Sequence, residues 1–225
     1  LFAALLLARS GFRPLVLERG PELDERVKAV EHFEKTGELN LNANIQFGEG
    51  GAGTFSDGKL TTRVGDPLCA FVTDAFLQHG APADIAWRQK PHVGTDLLRG
   101  IIRSIRQEII ALGGEVRFNT ALTGLKIENG ALAGVETTAG DFACEQLILA
   151  VGHSARDTFA MLHGSGLPLE CKPFSVGFRA EHLQTEIDKS LYHAAAGHPV
   201  LPVGEYQLSQ HVSGGRCVYT FCMCP

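Results

Sequence analysis

Residues 1–20 read LFAALLLARSGFRPLVLERG, and the reading of this stretch decides the fold. Residues 1–8 are apolar and favour a helix, and Ser10-Gly11 stops it. Residues 14–17 form a short apolar run that ends in Glu18-Arg19-Gly20. The pattern predicts a helix, a tight turn and a buried strand with an acid at its tip, the second half of a βαβ unit. In such a unit the acid accepts hydrogen bonds from ribose hydroxyls, while the phosphates sit at the N-terminus of the helix. A first strand and a glycine-rich loop would normally precede it. Neither is in the sequence, nor is a starting Met, so the chain is expected to be a fragment. Blander readings stay open. An acid after a strand is common. Residues 1–8 resemble the core of a secretory signal, but no basic stretch precedes them and Arg9 follows directly. The run is too short to span a bilayer.

Working outward, 225 residues can bury a sizeable core and suit one large or two small domains. A hydrophobic share of 44% and a charged share of 20% mark an ordinary globular chain. The net charge of −5 argues against a nucleic-acid or membrane-surface role. Of the cysteines, Cys69, Cys144 and Cys171 are isolated, which does not resemble a disulfide framework; a reducing, cytoplasmic compartment is expected. The 26 glycines fall in short motifs and point to tight turns or close backbone approaches to a ligand.

Residues 21–35 are expected to contain a helix, and 67–80 another. The clearest helix follows Pro91 and His92, with Thr95 as N-cap and Asp96 in the first turn. Leu97, Leu98, Ile101, Ile102, Ile105, Ile109 and Leu112 form one apolar stripe, and Gly113-Gly114 ends it. His92 reads as structural. Strands are then expected at 115–119 and 122–128, with a hairpin turn at Asn129-Gly130, a return strand at 132–138 and a third strand starting at 142. QLILAV (146–151) is a continuous apolar run that suits a strand buried on both faces. Ser154 is expected to cap a helix reaching Leu162. KPFSVGFRAEH (172–182) reads as a strand with mixed faces, 193–204 as a loop, and 215–224 as a strand.

The most unusual stretch is LNLNANIQFGEGGAGTFSDGKLTTR (39–63), rich in Gly, Asn, Ser and Thr and without periodicity. Loops of this length are usually functional when ordered. Within it, GEGGAGTFSDGK lets the backbone approach an anion, and consecutive N–H groups can form a nest. It lacks the spacing of a Walker loop. A plain surface loop is the alternative.

The order of elements, together with IQFGEGGAGTFSDGKLTTR, KPHVGTDLLRGIIRSIRQEIIALGGEVRFNT, LILAVGHSARDTF and KPFSVGFRAEH, resembles the poorly characterised bacterial FAD-dependent, or NAD(FAD)-utilizing, dehydrogenases. These lie within the glutathione-reductase-type FAD-binding superfamily. The resemblance implies an α/β fold. A discontinuous Rossmann-like FAD-binding domain with a three-strand antiparallel meander (about 115–145) would cover 1–169. The start of an α+β substrate-side domain would cover 170–225. It implies that Glu18 holds the adenosine ribose with Arg19 beside it, and that Gly50, Gly51, Gly53 and Thr54 approach the pyrophosphate and flavin side. Ser56, Asp57 and Lys59 would lie near the ring, the Leu122 backbone would meet the adenine, and Ala150 and Gly152 would pass close to FAD.

Catalytic residues are not legible. Lys59, His153 and Arg156 are candidates by position, since His exchanges protons near neutral pH and Arg steadies anions. For His153 and Arg156 the alternative is helix capping and surface pairing with Asp157. Cys217, Cys222 and Cys224 read as core packing, a flavin-adjacent thiol or a metal site. C-x-C in a strand suits neither a redox dithiol nor an evident zinc set. The expected activity is hydride transfer between bound FAD and a small organic substrate, with NAD(P)H as a transient donor. No metal, nucleic acid or membrane is involved. A non-catalytic flavin sensor or scaffold, and a nucleotide-binding module without flavin, are the alternatives.

Overall fold

In the computed structural model the described residues are 1–55, 58–60, 64–88 and 93–220. The apolar stripe becomes the spine of the first unit. Helix α4 (Thr95–Ala111) buries Leu98, Ile101, Ile102, Ile105 and Ile109. They pack against Ala4 and Leu5 of α1 (Phe2–Arg9), Ala75 and Phe76 of α3 (Cys69–Gln78), and Ile85 and Val93. Phe2 meets Phe76 edge-on with ring centroids 5.3 Å apart. The ends of the stripe differ from expectation: Leu97 and Leu112 are 51% and 44% exposed, because Leu97 lies off the face that Leu98, Ile105 and Ile109 share and Leu112 follows the last helical residue.

Strand β1 (Leu15–Leu17) pairs in parallel with β2 (Glu115–Arg117). The crossover between them carries α2 (Leu23–Thr36), α3 and α4. Beyond β2 lies an antiparallel sheet of β3 (Leu122–Glu128), β4 (Ala131–Thr137) and β5 (Gly140–Ala143), in that order. Asn129 and Gly130 have φ of 53° and 79°, the left-handed pair that a tight two-residue hairpin requires. Helix α5 (Arg156–Gly164) packs against β3. The architecture is mixed α/β.

Several local expectations are corrected. Gly94, not Thr95, is the N-cap of α4; its carbonyl accepts from Leu98 N–H and Thr95 is already helical. Helix α5 starts at Arg156 after Ala155 with no side-chain cap; the Ser154 hydroxyl lies 3.1 Å from His153 Nδ1 instead. Residues 146–151 pair with no strand among the described residues, and Ile148 and Leu149 are 61% and 40% exposed. An apolar run becomes a buried strand only where a neighbour takes its N–H and C=O groups, and none among the described residues does.

The chain divides into two compact units, Leu1–Leu169 and Glu170–Pro225. The second contains α6 (Gln184–Tyr192), which the sequence reading took for no element, and a hairpin of β6 (Ser209–His211) and β7 (Cys217–Tyr219). Residues 172–182, expected as a strand, are unpaired among the described residues and expose Phe174, Val176 and Phe178. Cys217 is exposed rather than packed in a core; Cys222 and Cys224 lie outside the described residues. Among the described residues no helix is long and apolar enough to cross a membrane, and no cluster of His, Cys, Asp and Glu is set to hold a metal.

Charged pairs tie the helices together. Arg9 of α1 donates from Nε and Nη2 to both Glu108 oxygens, at 2.7 and 2.8 Å. His79 Nε2 lies 2.8 Å from the same carboxylate, and its Nδ1 lies 2.7 Å from Ser104 Oγ. The Arg9 hydrogen bonds hold the Glu108 carboxyl below its ordinary value of 4.5. A depressed folded value contributes stability that is present above 4.5 and is lost as pH falls through the folded value. Thermal melts between pH 6 and pH 3 are expected to fall less steeply for Glu108→Gln than for the parent chain. Equal slopes would show that the pair is not linked to stability.

Candidate functional site: the carboxyl ends of the parallel strands

In open α/β sheets, ligands bind outside the carboxyl ends of parallel strands. Here those ends are stitched together. Glu18 N–H donates to the Arg117 carbonyl, Thr120 N–H to the Glu18 carbonyl and Asn119 N–H to the Gly20 carbonyl. Asn119, with φ of 54°, turns the chain out of β2. A cleft of about 590 Å³ opens beside this junction, lined by Arg19, Asn42, Asn119, Leu122, Thr138 and Asp157, among others. Arg19 Nη2 donates to Asp157 Oδ2 at 2.6 Å and so ties the tip of β1 to α5. Asp157 therefore pairs with Arg19, where the alternative reading of His153 and Arg156 had it pair with those two. That bond holds the Asp157 carboxyl below its ordinary range.

Glu18 sits at the foot of α1. Its carboxylate accepts from Gly20 N–H at 2.9 Å, and it lies close enough to Arg26 and Glu49 to feel both charges. Burial raises its pKa above the usual carboxylate value, the largest of several opposing influences. A Cβ on Gly20 would meet the Asn42 carbonyl at 2.6 Å and the Gly48 Cα at 3.5 Å, so the end of β1 and the glycine-rich loop lie in contact.

That loop is built around Arg26, which is fully buried. Its Nε donates to the Asn44 carbonyl at 3.0 Å and its Nη2 to Ile45 at 3.2 Å. Its Nη1 donates to the carbonyls of Glu49 and Gly51 at 2.6 and 2.9 Å. Its guanidinium stacks 4.8 Å from the Phe55 ring centroid, with Arg99 on the same ring at 5.1 Å. Burial lowers the Arg26 pKa to about 10, which leaves it cationic at neutral pH, with Glu18 and Glu49 pulling the other way. Glu49, 5% exposed, accepts from Leu23 N–H at 2.8 Å at the start of α2. Its other oxygen lies 2.7 Å from Arg106 Nε but off the line a hydrogen bond needs, so that contact is electrostatic. Gly48 has φ of 125°, and a Cβ there would meet Arg26 Cδ at 2.6 Å; only glycine lets the loop close on the guanidinium.

The expected site residues are thus distributed unevenly. Arg19 and Leu122 line the cleft; Glu18, the residue before Arg19, is not among its lining residues, and its carboxylate is turned to the Gly20 N–H. Gly50, Gly51 and Gly53 are exposed on the loop, whereas Thr54 is buried and its hydroxyl donates to the Glu49 carbonyl at 3.2 Å, holding the loop's shape. Lys59 is exposed. Ser56 and Asp57 lie outside the described residues, as does His92. Ala150, Gly152, His153 and Arg156 are exposed. Sequence reasoning missed Arg26, Glu49, Asn42, Asn119 and Asp157. Arg26 carried a signal: with Leu23 and Val30 it shares the inward face of α2 at helical spacing.

The donor set fits the adenosine and phosphate half of FAD. A half-buried carboxylate with spare acceptor capacity stands beside a cleft walled by Leu122, and exposed backbone N–H groups lie on the adjoining loop.

A Clostridium beijerinckii protein, described only as uncharacterized, is 49% identical over 226 residues; the chain spans 42% of that protein's length. Glycine oxidase from Bacillus cereus resembles 72% of this chain and is covered over 56% of its own, at 14% identity and a TM-score of 0.43. L-Amino acid deaminase from Proteus myxofaciens resembles 75% and is covered over 46%, at 15% identity and a TM-score of 0.37. Residues 173–225, all within the second unit, match the family described as FAD-dependent protein, C-terminal domain-like.

Proposed function

We propose that the chain is part of an FAD-dependent oxidoreductase that passes a hydride between bound FAD and a small organic substrate. The observation that carries the reading is the cleft at the carboxyl ends of β1 and β2, lined by Arg19 next to Glu18, with the glycine-rich loop in contact with the end of β1. The family match of residues 173–225 supports the cofactor. FAD, when bound, would supply the redox chemistry. The residues of this chain bind and orient. Glu18 accepts from the ribose hydroxyls, Arg19 and Leu122 border the adenine, and the loop at 50–53 faces the phosphates. The family resemblance would put Gly152, His153 and Lys59 towards the ring, with Ser56 and Asp57 outside the described residues; Arg156 adjoins Asp157, which borders the cleft read as the adenosine side. NAD(P)H would serve as a transient electron donor in a cytoplasmic reaction.

The first test is a visible absorption spectrum of the purified protein, followed by release and identification of any bound chromophore. Bound FAD, bleached by NAD(P)H or by a substrate, is the expected result. A colourless protein that FAD does not reconstitute would overturn the reading and favour a nucleotide-binding module without flavin. Bound flavin that no reductant bleaches would favour a sensor.

Glu18→Ala is expected to weaken FAD by about 1.5–3 kcal/mol, the worth of hydrogen bonds to a charged acceptor. Because burial raises the Glu18 pKa, affinity should fall with acidification at a higher pH than an ordinary carboxylate would dictate. Titration of FAD into the variant, with unchanged affinity, would remove Glu18 from the site.

A further inference from the structure

The carbonyls of Glu49 and Gly51 accept from the same nitrogen, Arg26 Nη1. A trans peptide is planar, so the N–H that shares a peptide with a carbonyl points the opposite way. The partners of these two carbonyls are the N–H groups of Gly50 and Ala52. Both must therefore point away from the guanidinium. Gly50 and Ala52 are exposed, and neither N–H donates to a group among the described residues. The conformation is held by more than the arginine. Gly50 and Gly51 have φ of 84° and 71°. A Cβ on Gly50 would meet Thr54 Oγ1 at 2.3 Å and Ile102 Cδ1 at 2.4 Å. The buried cation lies behind the peptides whose donors face outward, and it polarises them in the direction that favours an anion.

We propose that Arg26 is the positioning residue of this loop: by gathering the Glu49 and Gly51 carbonyls it aims the Gly50 and Ala52 N–H groups at the phosphate oxygens of a diphosphate-bearing ligand. This rests on the FAD reading for the identity of the ligand, but not for its charge. Arg26 touches no ligand atom; it acts through the peptides it turns. Lysine cannot replace it, because one ammonium cannot serve four carbonyls spread around a planar fork.

The test compares the full chain with Arg26→Lys for three probes: FAD, riboflavin, which lacks the diphosphate, and inorganic pyrophosphate. Arg26→Lys is expected to weaken FAD and pyrophosphate at least tenfold while riboflavin changes less than twofold. A general loosening of the fold would weaken all three alike, and that result overturns the proposal. So does a variant that binds pyrophosphate as tightly as the parent. Should the variant fail to melt cooperatively, the parent chain decides by amide NMR. Pyrophosphate is expected to shift the Gly50 and Ala52 N–H resonances most. Binding of FAD or pyrophosphate with those two resonances unmoved overturns the role of Arg26 and leaves the flavin reading standing. Pyrophosphate shifts without any binding of FAD do the reverse. No binding of either probe overturns both.

Discussion

Replacing Glu49 by alanine is expected to destabilise the first unit by about 3–5 kcal/mol, the usual cost of stripping one partner from a buried charged cluster. The carboxylate stands between two cations. Its Oε1 lies 2.7 Å from Arg106 Nε, and its field reaches Arg26. Its Oε2 accepts the Leu23 N–H, one of the donors that open α2 and that the helix itself cannot satisfy. Alanine removes a counter-charge from two guanidiniums and a cap from a helix in one step. Glu49→Gln keeps an acceptor for Leu23 and should be the milder of the two. Denaturant unfolding measures both. If the alanine variant loses less than about 1 kcal/mol, the range of an exposed ion pair, the cluster is solvated and the account of the loop is wrong.

The second large effect lies in the apolar core. Ile105 is fully buried, midway along α4, among Leu5, Phe76 and Ile101. Ile105→Ala is expected to cost about 2–5 kcal/mol, since the surrounding helices cannot fully collapse onto the vacated volume. Ile105→Val should cost about 0.5–1.5 kcal/mol. Unfolding midpoints in urea, at constant slope, give both values. A loss for alanine no greater than that for valine would mean that α4 is not packed against α1 and α3.

Local signals were legible wherever one stretch of chain determines its own conformation. The α4 stripe, the Asn129-Gly130 turn and the strand before it are of that kind. Residues 146–151 and 172–182 show the opposite case. Their composition favours strands, but a strand needs a partner, and a partner is a property of the tertiary structure. The site divides along the same line. Glu18 and the glycines could be singled out because an acid at a strand's end and glycines in series stand out locally, although each also has a purely structural use. Arg26 and Glu49 look like ordinary surface charges in a charged helix and a polar loop. Only the fold reveals that they face each other in the interior. Asn119 and Asp157 are brought to the cleft by strand pairing and helix docking, and neither event leaves a mark in the neighbouring residues.

The pairing of Leu15 with Glu115 also governs the order in which the molecule assembles. Contacts between residues so far apart close late, because the chain entropy of the intervening loop must be lost first, whereas the hairpin of β3 and β4 closes on neighbouring residues. The hairpin and α4 should therefore be protected from hydrogen exchange early in refolding, and the β1–β2 junction last. Arg26, Glu49 and Arg106 are likewise drawn from separate stretches of the chain, so their cluster is also expected to close late. Losses in their cluster should then appear as faster unfolding with refolding little changed, so the lifetime of the folded cleft, more than the speed of its formation, depends on those buried charges.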